Sequence, residues 1–299
     1  MVLVATRRDA RASTRRKRSR RSLIWVVLGV VVLLYPMVAT IYNDYKIHQQ
    51  AATYGKSVAR IDPPEQLEHY QFQAHAYNSW LTQQGHHARP ALPSDPGFDR
   101  YMETLNPPET FGVMARIRIP SIGVDLPVRH TTNSSVLYEG AGHMYGSSLP
   151  VGGMGTNAVI SAHTGMVDAS MFDNLPRIKD GALIRIDVLG SSLYYQVVSR
   201  QVVAPSDYSA VEYFHDRDLL TLITCTPYGI NTDRLLVLAE RVDPAPVGAD
   251  SETTVWFRWS WWMIADAAII ICVVLGVTGW ELRLAWRRRK AKTEVGGER

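Results

Sequence analysis

Two apolar runs, 23–42 and 259–280, enclose the chain, and between them the spacing of apolar positions changes character once. The first run holds 20 residues without a charge. As a helix it spans about 30 Å, the thickness of a bilayer core. The second run is flanked by tryptophans, as interfacial aromatics would be, and Asp266 within it reads as a carboxylate reaching outward to water. Residues 43–110 are polar, with one helical stretch: Leu67, Tyr70, Ala74, Tyr77 and Leu81 recur every three or four positions and predict an amphipathic helix over 66–81. Residues 86–108, dense in Pro, Gly, Asp and Asn, predict a loop. From 111 onward the pattern shortens to alternating or β-branched runs at 113–119, 124–128, 158–161, 183–188, 194–203, 219–224 and 235–239, with a short helix expected at 171–175. Strands so numerous and so close predict a closed or sandwiched β architecture over 111–242. Pro244, Pro246 and Gly248 make 243–258 a linker.

Charge refines this layout. Residues 1–22 carry nine Lys or Arg against one Asp, and 281–299 carry seven against three Glu, yet the whole chain is only +4. The stretch between the basic ends is therefore acidic, which argues against a nucleic-acid surface despite a pI near 9.0. Basic ends directly behind apolar runs place both termini in the cytoplasm and the acidic body outside the membrane, a two-span protein of the cell membrane in contact with lipid. The first run is long for a cleaved signal, and no small-x-small site follows it closely, so an uncleaved anchor is expected.

Only two cysteines occur. Cys272 lies inside the second apolar run, so a disulfide with Cys225 is not expected, and Cys225 is either a small buried hydrophobe or a reactive thiol. Its setting favours reactivity. It ends the run 219–224 and opens into Thr226-Pro227-Tyr228-Gly229, where a strand would fix the side chain and a turn expose it. His163 likewise ends the run 158–161 before Thr164-Gly165, although nine histidines occur and a strand-end histidine alone singles out nothing. Arg234 follows Cys225 by nine positions, a separation that brings the chain back beside its starting point in an antiparallel hairpin. His86, His87, His143, His163 and Cys225 lack the paired spacing of zinc ligands, so no metal and no cofactor is expected.

The run Thr221-Leu-Ile-Thr-Cys225-Thr-Pro-Tyr-Gly-Ile-Asn-Thr-Asp-Arg234 resembles the signature of sortases, in particular the class C, pilin-polymerising group. Gly140-x-Gly-His-x-x-Gly-Ser-Ser-Leu-Pro-Val-Gly-Gly153 and Asn157-Ala-Val-Ile-Ser-Ala-His163-Thr-Gly165 are similar to that group as well. The resemblance implies a mainly β fold, an eight-stranded sortase-type β-barrel flanked by transmembrane helices. It also implies a cysteine transpeptidase that cuts an LPxTG-like sorting signal between Thr and Gly, holds the acyl group as a thioester and passes it to an amine. Cys225 would be the nucleophile, His163 the general acid and base, and Arg234 the stabiliser of substrate and oxyanion. The implied partners are an LPxTG-bearing surface protein or pilin and an acceptor amine, either a pilin lysine or peptidoglycan. A non-catalytic assembly factor is the alternative from another class. Class C members often carry an Asp-Pro-aromatic lid. Here Asp95-Pro96-Gly97-Phe98 puts the aromatic one position late, and the expected lid would set Asp95 near Arg234 and Phe98 over Cys225. Asp233 stands where the group commonly has His, and Thr164 where it commonly has Arg.

Overall fold

The alternation seen in the sequence becomes a barrel because each strand has one face to bury. In β1 (Val113–Ile119), Ala115, Ile117 and Ile119 point into the core and are fully buried. Arg116 and Arg118 point outward between them, where they pair with Asp125 and Asp187 of the neighbouring strands. The computed structural model describes residues 3–246 and 259–296, with side chains from 24 to 246 and from 259 to 287. Among them, eight strands close in the order β1-β2-β3-β4-β7-β8-β6-β5. The others are β2 (Val124–His130), β3 (Ala141–His143), β4 (Thr156–Ser161), β5 (Leu183–Val188), β6 (Ser191–Val203), β7 (Asp218–Thr226) and β8 (Asp233–Arg241). Two neighbouring pairs, β2 with β3 and β4 with β7, run parallel. All seven predicted strands are present, and the eighth, β3, has three residues and no readable alternation.

The described residues divide into two units, 40–258 and 1–39 with 259–299. The second unit holds most of the apolar part of α1 (Leu3–Val58) and α5 (Trp261–Gly296), both long and apolar enough to cross a membrane. Their apolar side chains face outward: Trp25, Val32, Leu275 and Trp280 are each more than 60% exposed. Residues 247–258, most of the expected linker, and the side chains of most of the basic ends lie outside the described residues.

The barrel unit is completed by the end of α1, by α2 (Pro64–Gln84), and by the short α3 (Phe98–Glu103) and α4 (Ser134–Glu139). Beyond the expected span 23–42 the helix goes on, for α1 continues to Val58 with Ile47, Ala51, Tyr54 and Val58 buried on one face. The Tyr54 hydroxyl donates to the Met114 carbonyl (2.8 Å) and accepts the Leu189 N–H (3.0 Å). The helix predicted at 66–81 is α2, extended at both ends and joined to Leu149 by the two hydrogen bonds of the Asn78 amide.

Two expectations fail. The short helix at 171–175 is instead a turn leading into a 3-10 helix at Leu175–Arg177, with Pro176 setting its start. The 86–108 loop contains α3, whose Tyr101 is fully buried. The Tyr101 hydroxyl accepts the Thr131 N–H (2.9 Å) and lies 3.0 Å from His143 Nδ1 and 2.9 Å from the His143 carbonyl oxygen. Burial pushes His143 down to about 3, so its ring is a neutral part of the core. Tyr101→Phe would leave the Thr131 N–H without this acceptor in the interior. Denaturant titration should show a loss of roughly 1–3 kcal/mol.

Candidate active site

Strand register brings the three chemistry-bearing side chains to one level. β4 and β7 pair in parallel from Thr156↔Asp218 to Ser161↔Ile223. The pairing continues beyond the ladder: Ala162 N–H donates to the Ile223 carbonyl (3.2 Å), and Thr224 Oγ1 donates to the Ala162 carbonyl (2.9 Å). His163 thus leaves β4 where Cys225 stands on β7. On the other side, β7 and β8 run antiparallel, and Cys225 is the direct cross-strand partner of Arg234. The loop 227–232 between them makes the nine-residue return read from the sequence.

All three line one cleft of about 190 Å³ that opens to solvent. One wall comes from the β6–β7 connection through Pro205, Asp207 and Tyr208, and apolar residues such as Ile223 and Leu236 form the floor. Cys225 is half-buried, so the thiol is reachable rather than sealed in the core. Partial burial holds the His163 imidazole below its usual value by disfavouring the charged ring. Arg234 Nη1 donates to the carbonyls of Asp233 (3.0 Å) and Asn231 (3.3 Å), which steadies one edge of its guanidinium fork. The Asp233 side chain accepts from Thr232 Oγ1 (2.7 Å).

The Asp95–Phe98 segment sits elsewhere. Asp95 accepts from Arg89 (2.6 Å) and from the Leu92 N–H (2.7 Å), not from Arg234. Phe98 packs near Tyr101 and Tyr145, with ring centroids 6.4 and 6.2 Å away, and neither Asp95 nor Phe98 lines the cleft. The physical reason is Gly97. At φ +75° it lies close against the Trp80 ring, where an added Cβ would come within 2.6 Å. The Tyr145 hydroxyl also donates to the Pro96 carbonyl. From this stretch it is Pro90 that reaches the cleft, while Ala88 packs into a small cluster with Ile223 and Leu236.

One group in this region has no sequence signal. Asp173, in the β4–β5 connection, hydrogen-bonds the turn after His163 and the turn after Cys225. Among the described residues, no group of three or more His, Cys, Asp or Glu side chains could hold a metal ion.

A family model described as a sortase domain matches residues 117–242. Sortase D of Bacillus subtilis (strain 168) is 27% identical over 138 residues, 45% of this chain and 67% of that protein. Sortase C-1 from Actinomyces oris is 42% identical in its crystal structure, with a TM-score of 0.54 over 59% of this chain and 98% of that one. Sortase C1 of Streptococcus agalactiae is 30% identical, with a TM-score of 0.60 over 69% of this chain and 100% of that one. With a barrel of this topology and relatives of this identity, the chain belongs to the sortase family, the cysteine transpeptidases, and groups with its class C members.

Proposed function

We propose that this protein is a membrane-anchored class C-type transpeptidase that cleaves LPxTG-like signals and joins the released acyl group to an amine, in the first place a lysine of a pilin. The observation that supports this reading most is the direct pairing of Cys225 with Arg234 across β7 and β8, with His163 on the adjoining strand at the same level. Cys225 attacks the scissile threonine carbonyl as thiolate, and Arg234 donates to the oxyanion that forms. Arg234 cannot serve as base, since a guanidinium keeps its proton. His163 protonates the departing glycine amine, leaving a thioester on Cys225. It then takes a proton from the incoming amine as the new amide forms and Cys225 leaves as thiolate, which restores the starting pair. The half-buried setting of His163 favours the second half-reaction, because it lowers the cost of the neutral ring that this step needs.

In this reading the spans near 23–42 and 259–280 hold the 111–242 barrel at the outer face of the cell membrane, with both basic ends in the cytoplasm. A second acceptor is in view because a relative 29% identical over 130 residues, from Bacillus anthracis, is named sortase A and not sortase C. The acceptor distinguishes attachment to peptidoglycan from pilin polymerisation. The full chain in detergent micelles, given an LPxTG peptide together with a lysine-bearing pilin peptide and a peptidoglycan stem peptide, should form the lysine-linked product, read by mass spectrometry. Exclusive transfer to the stem peptide would reassign the acceptor, and cleavage at no Thr–Gly bond would remove the reading.

A further inference from the structure

The connection that leaves β4 at His163 is held from two sides before it reaches β5. On one side stands the end of α1. Thr40 Oγ1 donates to the Val167 carbonyl (3.1 Å), Asn43 Nδ2 donates to the Asp168 carbonyl (3.0 Å), and Asp44 Oδ1 accepts the Ser170 N–H (2.8 Å). On the other side stands Asp173. Its Oδ1 accepts the Gly165 N–H (2.8 Å) and the Thr164 hydroxyl (3.1 Å), while its Oδ2 accepts the Tyr228 hydroxyl (3.3 Å). Thr164 and Gly165 directly follow His163, and Tyr228 comes three positions after Cys225. One carboxylate therefore touches both loops that carry the reacting pair.

The two loops also meet backbone to backbone. Gly165 has φ +74°, and a Cβ added there would lie 3.2 Å from the Gly229 nitrogen. Next to Asp173, the Phe172 N–H donates to the His163 carbonyl (2.9 Å), which closes the turn on itself. We propose that Asp173 is a positioning residue for the transfer reaction, a clamp that fixes the spacing between the His163 loop and the Cys225 loop. The proposal rests on the reading of Cys225 and His163 as the reacting pair.

Energetics separate this role from ordinary stabilisation. Burial pushes the Asp173 carboxyl up to about 6, with the like charge of Asp44 adding to the rise, although the bonds from Gly165, Thr164 and Tyr228 pull it down. A folded value above the unfolded 3.8 means that the folded state takes up a proton as pH falls through about 6. At neutral pH the ionised carboxylate thus weighs against folding, and acidification relieves that penalty. The geometry is what the charge sustains.

The test uses the full chain in detergent, with an LPxTG peptide as donor and hydroxylamine as acceptor. Sites are counted by labelling Cys225 with a thiol-reactive LPxTG-like probe. Asp173→Ala should lower kcat per labelled site by about 10²-fold, the effect of a small misplacement of reacting groups, while KM stays within about twofold. In Asp173→Asn the amide oxygen can still accept from Gly165 and Thr164, and the amide nitrogen can donate to Tyr228. That variant should recover to about tenfold below wild type, with a Tm at neutral pH equal to or above wild type. A residue that served folding alone would lower Tm and the number of labelled sites and leave kcat per site unchanged, which would overturn the clamp. Should Asp173→Ala fail to fold, Asp173→Asn and Tyr228→Phe carry the test, and wild-type kcat in both overturns the proposal. Failure of the underlying reading looks different: the wild type itself would then turn over no peptide and Cys225 would take no label.

Discussion

Cys225→Ala should reduce turnover of an LPxTG peptide to background, a loss on the order of 10⁶-fold where the assay reaches that far, while the barrel keeps its fold. On the proposed mechanism, the magnitude follows from removing the atom that would form the covalent intermediate. The fold should survive because the side chain is half-buried at a strand end and the substitution removes one sulfur from the edge of a solvent-open cleft. A thermal melt within a few degrees of wild type, together with peptide cleavage at the no-enzyme rate, is the expected pair of results. Residual cleavage within about tenfold of wild type would mean that another group does the chemistry.

Arg234→Ala carries the next largest effect. A donor aimed at a developing oxyanion contributes about 10²–10³ in kcat, and Arg234 stands directly across the strand pair from the thiol. Its guanidinium is steadied by the Asn231 and Asp233 carbonyls, so the fork is set before substrate arrives. Arg234→Lys keeps a charge but loses the planar fork, and should restore only part of the rate. The loss should fall on kcat more than on KM, measured under saturating acceptor, because the oxyanion exists only in the transition state and the tetrahedral intermediate. A loss confined to KM would make Arg234 a substrate-binding group instead.

Much of this site was legible because its parts are local in sequence. The pairing of Cys225 with Arg234 follows from a nine-residue return between two strands, and both strands announce themselves by apolar runs. The level of His163 is different. It depends on a parallel pairing between β4 and β7, 62 positions apart, and no local pattern encodes such a pairing. The likeness of 157–165 to other sortases supplied it. Asp173 was invisible for the same reason: its partners lie on two loops that meet only in the folded barrel.

Other misses had signals in reach. The continuation of α1 past 42 is written in Ile47, Ala51, Tyr54 and Val58, spaced by four, three and four, but the charges of 44–46 obscured it. Asp95 is drawn to Arg89, six positions earlier, so the simplest local ion pair outcompetes the long reach to Arg234. Gly97 then lets the segment lie on Trp80, a contact that an aromatic at that position would prevent. β3 could not be read at all, since Ala-Gly-His carries neither alternation nor β-branching.

The whole scheme turns on one covalent bond. Full-length protein mixed with an LPxTG peptide, quenched in acid within seconds and digested, should yield the peptide containing residue 225 with the mass of the acyl fragment ending in threonine. That mass should vanish when hydroxylamine is added before the quench. Cleavage of the substrate with residue 225 unmodified at every time point, or an acyl group carried elsewhere on the chain, would contradict the assignment.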